Sequence, residues 1–220
     1  MVSVLVVSDD QSLQRHALRL LLAAEPDLHV LGETSGGEAV RASAALRPDV
    51  VLLDSELSEA TGTEVVQRIA RLPDPAPRVL ALAPANDEGQ AAATVRAGAT
   101  GFLLKDATPG ELTAAIRVVA SGDAVLTPAL THALIEAVRR QDAVNAPPPG
   151  PGPLLLTQRE RDVLVAVASG STNAEIAARL SIATTTVKSH VSHILTKIGA
   201  RARVQAVTFA YETGLVRPAA

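Results

Sequence analysis

Four ionisable residues in the first half of the chain follow apolar runs. Asp9 and Asp10 come after Val4–Val7 (V-L-V-V) and Ser8, Asp54 closes V-V-L-L-D at 50–54, and Lys105 closes G-F-L-L-K at 101–105. Apolar runs of this kind read as strands buried on both faces. In an open α/β sheet, ligands bind at the carboxyl ends of such strands. Three carboxylates gathered there repel one another unless a cation intervenes. Mg²⁺ is the natural cation: it takes oxygen ligands, uses one or two carboxylates and keeps positions open for water and phosphate. An aspartate in such a site can attack a phosphoryl group and form an acyl phosphate. The metal and a lysine would then stabilise the charge on the transferring oxygens. Taken singly, an aspartate at a strand end is most often a cap or turn residue, and a lone lysine is most often solvated. The joint pattern points to chemistry: D-D after the first strand, D after the third and K after the fifth.

The elements that must position these residues are legible. Strands are expected at Val4–Val7, His29–Gly32, Val50–Asp54, Val79–Ala83 and Gly101–Lys105. Helix-period segments lie between and after them, at Leu13–Ala24, Glu38–Leu46, Glu64–Leu72, Gly89–Ala97 and Glu111–Ala120. Thr108-Pro109-Gly110-Glu111 is a capping box with proline at the first helical position. Gly98 and Gly122 are helix stops. Five strand–helix repeats imply an α/β doubly wound, five-stranded parallel sheet. Thr127-Pro128 opens one more helix, to about Gln141. Asn145–Pro153 then reads N-A-P-P-P-G-P-G-P, an extended spacer that can be neither helix nor inner strand.

Beyond the spacer the pattern is all helical, a small all-α domain. Thr157–Glu160 and Thr172–Glu175 are capping boxes ahead of apolar-periodic runs. Helices are expected at Gln158–Ala168, Asn173–Leu180, Thr185–Ile198 and Arg203–Thr213. In the third of these, Val187, Val191, Ile194, Leu195 and Ile198 form the buried face. Thr185, Lys188, Ser189, Ser192 and Thr196 face the other way, a small polar surface that suits base edges in a major groove. His190, His193 and Lys197 form a stripe alongside, placed for phosphates, and Arg201 and Arg203 can add backbone contacts. The short turn Ser181–Thr184 joins this helix to the one before, as in a helix-turn-helix. An ordinary amphipathic helix with a wet polar side gives the same wheel.

Composition agrees with two parts. Ahead of Leu154 there are 12 basic and 19 acidic residues; from Leu154 onward there are 8 and 4. An acidic front and a basic tail suggest different partners. Of 220 residues only Phe102, Phe209 and Tyr211 are aromatic, which nearly excludes a surface of stacked aromatics for single strands. There is no cysteine, so disulfides, thiolate metal sites and cysteine nucleophiles are excluded. With neither a signal peptide nor a membrane span in the pattern, a soluble cytoplasmic protein is expected.

The first half resembles a response-regulator receiver domain. The matching motifs are S-D-D at 8–10, P-D-V-V-L-L-D at 48–54 and R-A-G-A-T-G-F-L-L-K-D at 96–106. The resemblance implies that Asp54 is the phosphoacceptor. It implies Mg²⁺ held by Asp10 directly, Asp9 in support, Asp54, and the backbone carbonyl of Glu56. Lys105 would pair with the phosphoryl group, and Phe102 would hold the aromatic switch position. One departure matters: the fourth strand ends in Ala83, where the family has Ser or Thr to bond the phosphoryl oxygen. Such a bond to a charged group is worth about 1.5–3 kcal/mol. The loop after Asp54, S-E-L-S-E-A-T-G, also departs from the usual proline-containing turn.

The tail resembles a LuxR-type DNA-binding domain through L-T-Q-R-E-R-D-V-L at 156–164, T-N-A-E-I-A at 172–177, T-V-K-S-H-V at 186–191 and R-V-Q-A-V at 203–207. It implies base contacts from Lys188, Ser189 and Ser192, phosphate contacts from His190 and Lys197, and a dimer contact near Arg203–Tyr211. Ala183 stands where the family has a capping Ser or Thr, and Thr184 is expected to take over the cap. The pair of domains is the NarL/FixJ-type architecture: a receiver over 1–123, a linker helix and spacer over 124–153, and the helix-turn-helix domain over 154–220. The implied function is a transcriptional regulator, not an enzyme of metabolism, that binds promoter DNA as a homodimer and takes phosphate from a sensor histidine kinase. Two alternatives stay open. One is a regulator of the same architecture controlled without phosphorylation, which Ala83 motivates. The other is a Mg²⁺-dependent aspartyl phosphohydrolase, with Glu56 as the second acid.

Overall fold

In the computed structural model, which describes residues 1–9, 13–57, 61–73, 75–84, 88–125, 156–200 and 202–216, five parallel strands form one sheet. They are β1 (Val2–Val7), β2 (Leu28–Thr34), β3 (Val50–Asp54), β4 (Arg78–Ala83) and β5 (Gly101–Leu104), in the order β2-β1-β3-β4-β5. Helices α1 (Leu13–Ala23), α2 (Ala39–Leu46), α3 (Gly62–Ala70), α4 (Glu88–Ala97) and α5 (Pro109–Ser121) alternate with them. The chain divides into two compact units, Met1–Thr127 and Pro128–Ala220. Asp10, Arg201, the expected helix after Thr127 and the Pro/Gly run lie outside the described residues.

The continuous aliphatic strands serve two cores at once. Val4, Val6, Leu52 and Leu80 pack with Leu22 of α1 and Ile116 of α5. Leu5, Val7, Val51 and Leu53 pack on the opposite face with Val65, Val66 and Ile69 of α3. Period-two alternation within an all-apolar strand separates the two sets. Arg117 of α5 bonds Asp27 at 2.7 Å through both carboxylate oxygens and Glu25 at 2.6 Å, fixing α5 to the α1–β2 loop. The Arg117 bonds hold the Asp27 carboxyl well down, at about 2.

Register decides what meets at the carboxyl edge. Val7 lies beside Leu53, Leu53 beside Ala81, and Ala83 beside Leu104. Asp54 stands level with Leu82 and Leu103, so Lys105 emerges two residues and Asp9 one residue beyond it at the same edge of the sheet. The connection reverses direction between β1 and β3, so Asp9 and Asp54 flank the switch point of the sheet.

Several bounds differ from the sequence expectation. Strand β2 runs on through Glu33 and Thr34, because these polar residues pair with Val6 and Val7. Helix α3 starts at Gly62 rather than Glu64, because Thr61 and Glu64 close a reciprocal capping box. Helix α5 has its expected box, and Gly122 ends it with φ 92°. The chain then turns to the sheet edge, where the Val125 carbonyl accepts the Phe102 N–H at 2.9 Å and Gly101 and Val125 form a parallel bridge. A methyl on Gly101 would stand 2.9 Å from Val119 Cγ2, 3.0 Å from Leu80 Cδ1 and 3.3 Å from Val125 Cβ, so these three side chains close on a residue that has none.

The second unit packs α6 (Gln158–Ala168), α7 (Asn173–Leu180), α8 (Thr184–Ile198) and α9 (Arg203–Glu212) around Leu164, Ile176, Val187 and Ile194. Both expected capping boxes are present, at Thr157 and Thr172. Thr184 is not a cap, contrary to expectation. It is the first residue of α8, and extended Ala183 holds the N-cap position with no side-chain bond. The Ala183 carbonyl accepts the N–H groups of Thr186 and Val187, which starts the helix one residue early.

Candidate functional site

Asp54 is 9% exposed at the end of β3. Its Oδ1 accepts a bond from Lys105 Nζ at 2.8 Å and from the Glu56 N–H at 3.0 Å. Among the described residues both bonds fall on Oδ1. Lys105 also bonds Glu56 Oε2 at 2.6 Å, so one ammonium bridges two carboxylates. Burial works against the charged lysine, but its bonds to Asp54 and Glu56 outweigh this and hold its pKa above the ordinary value. The Lys105 N–H donates to the Ala83 carbonyl at 2.8 Å, which fixes the loop after β5 to the end of β4.

The other expected residues are placed as follows. Asp9 Oδ1 accepts the Gly36 N–H at 2.6 Å. Ala83 and Phe102 are buried, at 0% and 2% exposed, so the methyl in place of a hydroxyl faces no solvent. Asp10 is outside the described residues. Among those residues, no three His, Cys, Asp or Glu side chains converge as a metal site would. The donor chemistry still suits Mg²⁺, since carboxylates at adjacent strand ends and a nearby backbone carbonyl are the hard oxygen ligands it takes. From the sequence, Glu56 is expected to offer its backbone carbonyl to Mg²⁺ or, in the phosphohydrolase alternative, to serve as a second acid. Its carboxylate on Lys105 was not foreseen, although an acid two residues beyond Asp54 was visible.

In the second unit, α7, the turn Ser181–Ala183 and α8 form a helix-turn-helix. Ser181 caps α7 in the left-handed region, at φ 53°. Arg159 of α6 donates to the Leu180 carbonyl at 2.8 Å, which fixes the turn from below. Thr185, Lys188, Ser189, Ser192 and Thr196 are all exposed, and His190 is half-buried beside them. Ser189 donates its hydroxyl to the Thr185 carbonyl at 3.2 Å, leaving its oxygen as an acceptor. Lys197 lies differently from the sequence picture. Its ammonium bonds the buried Glu160 carboxylate at 2.7 Å, across the unit. Arg203 is a correction. It is 5% exposed and donates to Asn173 Oδ1 at 2.7 Å and to the Ser171 carbonyl at 2.5 Å, so it holds the α6–α7 loop instead of lying open to a nucleic-acid backbone.

Residues 4–117 match the family described as "Response regulator receiver domain", and residues 154–210 match "Bacterial regulatory proteins, luxR family". The chain is 33% identical over 211 residues to the nitrate/nitrite response regulator protein NarL of Escherichia coli strain K12, covering 96% of this chain and 95% of that protein. It is 35% identical over 218 residues to the transcriptional regulatory protein LiaR of Bacillus subtilis strain 168, covering 98% and 100%. Among solved structures it resembles the response regulator ChrA of a heme-sensing two-component system, with TM-score 0.52, 30% identity and 98% of each chain covered. The matched relatives are transcriptional regulators and not enzymes, which removes the phosphohydrolase alternative. No helix among the described residues is long and apolar enough to cross a membrane.

Proposed function

Since this chain belongs to the NarL/FixJ-type response regulators, DNA-binding transcriptional regulators with a LuxR-type helix-turn-helix, we propose that its receiver takes a phosphoryl group on Asp54. The observation that carries this reading is the Lys105 ammonium 2.8 Å from Asp54 Oδ1 at the carboxyl edge of the sheet. With Oδ1 so engaged, Oδ2 is the oxygen left to attack phosphorus. Asp9, Asp10, Asp54 and the Glu56 carbonyl would hold Mg²⁺. When bound, the ion supplies positive charge against the phosphoryl oxygens. Lys105 then turns from carboxylate to phosphoryl oxygen, which requires its bond to Glu56 to loosen. A sensor histidine kinase or a small phosphodonor supplies the group. The receiver spans 1–123, the linker 124–153 and the DNA-reading domain 154–220. The protein works in the cytoplasm and sits on promoter DNA as a homodimer.

A second reading is favoured by Ala83. Without a hydroxyl at the end of β4, control passes to a partner, a ligand or expression level, and phosphorylation becomes optional. Sedimentation of the full chain with Mg²⁺, with and without beryllofluoride, separates the two. A mimic-dependent shift from monomer to dimer that Asp54→Ala abolishes is the expected result. Binding of the mimic with no change in mass would favour control without phosphorylation.

On DNA, Thr185, Lys188, Ser189 and Ser192 face base edges and His190 a phosphate, while Lys197 acts through Glu160. Lys188→Ala is expected to weaken specific binding by roughly 1–3 kcal/mol and to relax the preference at the pair it reads. Selection from random duplexes followed by anisotropy titration measures both. An unchanged site preference would remove Lys188 from the reading surface.

A further inference from the structure

Glu56 grips the acidic site twice. Its N–H donates to Asp54 Oδ1 at 3.0 Å, and its Oε2 accepts a bond from Lys105 Nζ at 2.6 Å. Lys105 closes the ring by donating to the same Asp54 oxygen at 2.8 Å. The Lys105 side chain is 19% exposed, that of Glu56 61%. The shorter of the lysine's two bonds thus goes to the carboxylate that does not take the phosphoryl group.

Phosphorylation changes the two carboxylates unequally. Once Asp54 Oδ2 carries a phosphoryl group, Oδ1 is an uncharged carbonyl oxygen, whereas Glu56 keeps its full charge. Every movement of the ammonium toward the phosphoryl oxygens then stretches its bond to Glu56. Should Glu56 travel with the ammonium, it brings a carboxylate toward a second negative group, which is repulsive. On the Asp54 reading given above, we propose that the Glu56 side chain is a built-in competitor for Lys105, which the phosphoryl group must displace in order to bind. Glu56 is then a positioning residue that works against phosphorylation. Through Lys105 it sets the affinity for the group, and so the share of receivers that hold it. Its effect is separate from that of Ala83. Ala83 withholds a bond from the phosphorylated state, while Glu56 adds one to the unphosphorylated state.

The test uses the full chain and beryllofluoride at saturating Mg²⁺, with binding read by fluorine NMR. Glu56→Gln keeps the backbone groups and the size of the side chain but offers Lys105 only a neutral oxygen. It is expected to raise the affinity for beryllofluoride about fivefold, the upper end for an ion pair with one exposed partner. A second readout follows the lysine itself. Lys105, Lys188 and Lys197 are the three lysines of the chain, so carbon-13 at lysine Cε gives three side-chain signals. Without the mimic, the Lys105 signal should differ between wild type and Glu56→Gln. With the mimic bound, that difference should fall by more than half, because the ammonium has left residue 56 in both proteins. Unchanged affinity, or the same Lys105 signal in both free proteins, would overturn the inference. So would a higher affinity with an undiminished difference, since the gain would then come from lost repulsion alone. A wild-type chain that binds no beryllofluoride, or binds it equally well as Asp54→Ala, would overturn the Asp54 reading first, and this inference with it.

Discussion

Glu160→Ala is expected to lower the melting temperature of the C-terminal unit by roughly 10–25 °C and to leave the receiver transition in place. Glu160 is 4% exposed, and its Oε2 takes bonds from Lys197 Nζ at 2.7 Å, the Thr157 N–H at 2.7 Å and the Thr157 hydroxyl at 2.9 Å. It therefore closes the capping box of α6 and ties that helix to the far end of α8. Breaking a buried ion pair costs about 3–5 kcal/mol. The Lys197 side chain is 36% exposed and recovers some hydration, so the low end, about 3 kcal/mol, applies. Burial alone would raise the Glu160 pKa, but the bonds from Lys197 and Thr157 outweigh it and hold it at about 2. The sign follows: the folded pKa lies below the unfolded value of 4.5, so the stabilisation is complete above pH 4.5 and is lost as pH falls toward 2. Glu160→Gln separates the roles, since glutamine can close the box but carries no charge. Its melting temperature should lie between wild type and alanine, and its acid sensitivity over that window should fall to what the other carboxylates of the unit, such as Glu175 in its own capping box, still contribute. Circular dichroism melts from pH 7 down to 3 measure both; a pH profile identical to wild type would refute the ion-pair account.

Arg203→Ala is the second large effect, with an expected loss of about 3–4 kcal/mol in the same unit. The guanidinium bonds Asn173 Oδ1, on a residue only 3% exposed, and the Ser171 carbonyl. Truncation strands the buried Asn173 acceptor and deprives the half-buried Ser171 carbonyl of its donor, and a stranded buried group costs about 1–3 kcal/mol. Asn173 opens α7, the first helix of the helix-turn-helix, so DNA affinity should fall with stability. Arg203→Lys keeps the charge but cannot reach both acceptors in the same fork geometry. It should lose at least half as much. Were Arg203 a DNA contact instead, alanine would lower affinity and leave the melt unchanged.

The sequence made the acidic site legible because its logic is local. An aliphatic run ending in Asp54 or Lys105 states both strand and strand end, and parallel register does the rest. The helix wheel of α8 separated Val187 and Ile194 from Lys188 and Ser189 for the same reason. Contacts between distant residues were not legible. A wheel puts Lys197 on the polar side but cannot show it reaching Glu160, 37 positions away. Arg203 read as a surface charge because nothing near it in sequence displays the Ser171 carbonyl and Asn173 amide that bury it. Thr61 was overlooked as a cap because Gly62 hides the start of the apolar period.

The Val125 carbonyl on the Phe102 N–H has a consequence for where the receiver ends as a folding unit. β5 is an outermost strand, and an outermost strand offers its unpaired backbone to any other chain. Here the residues just past α5 cover part of that backbone. The guard is thus carried by the segment that joins the receiver to whatever follows it. A receiver severed at Gly122 keeps every helix and every strand, yet its β5 edge is open to self-association. An exchange of output domains preserves a well-behaved receiver only if the junction falls beyond Val125.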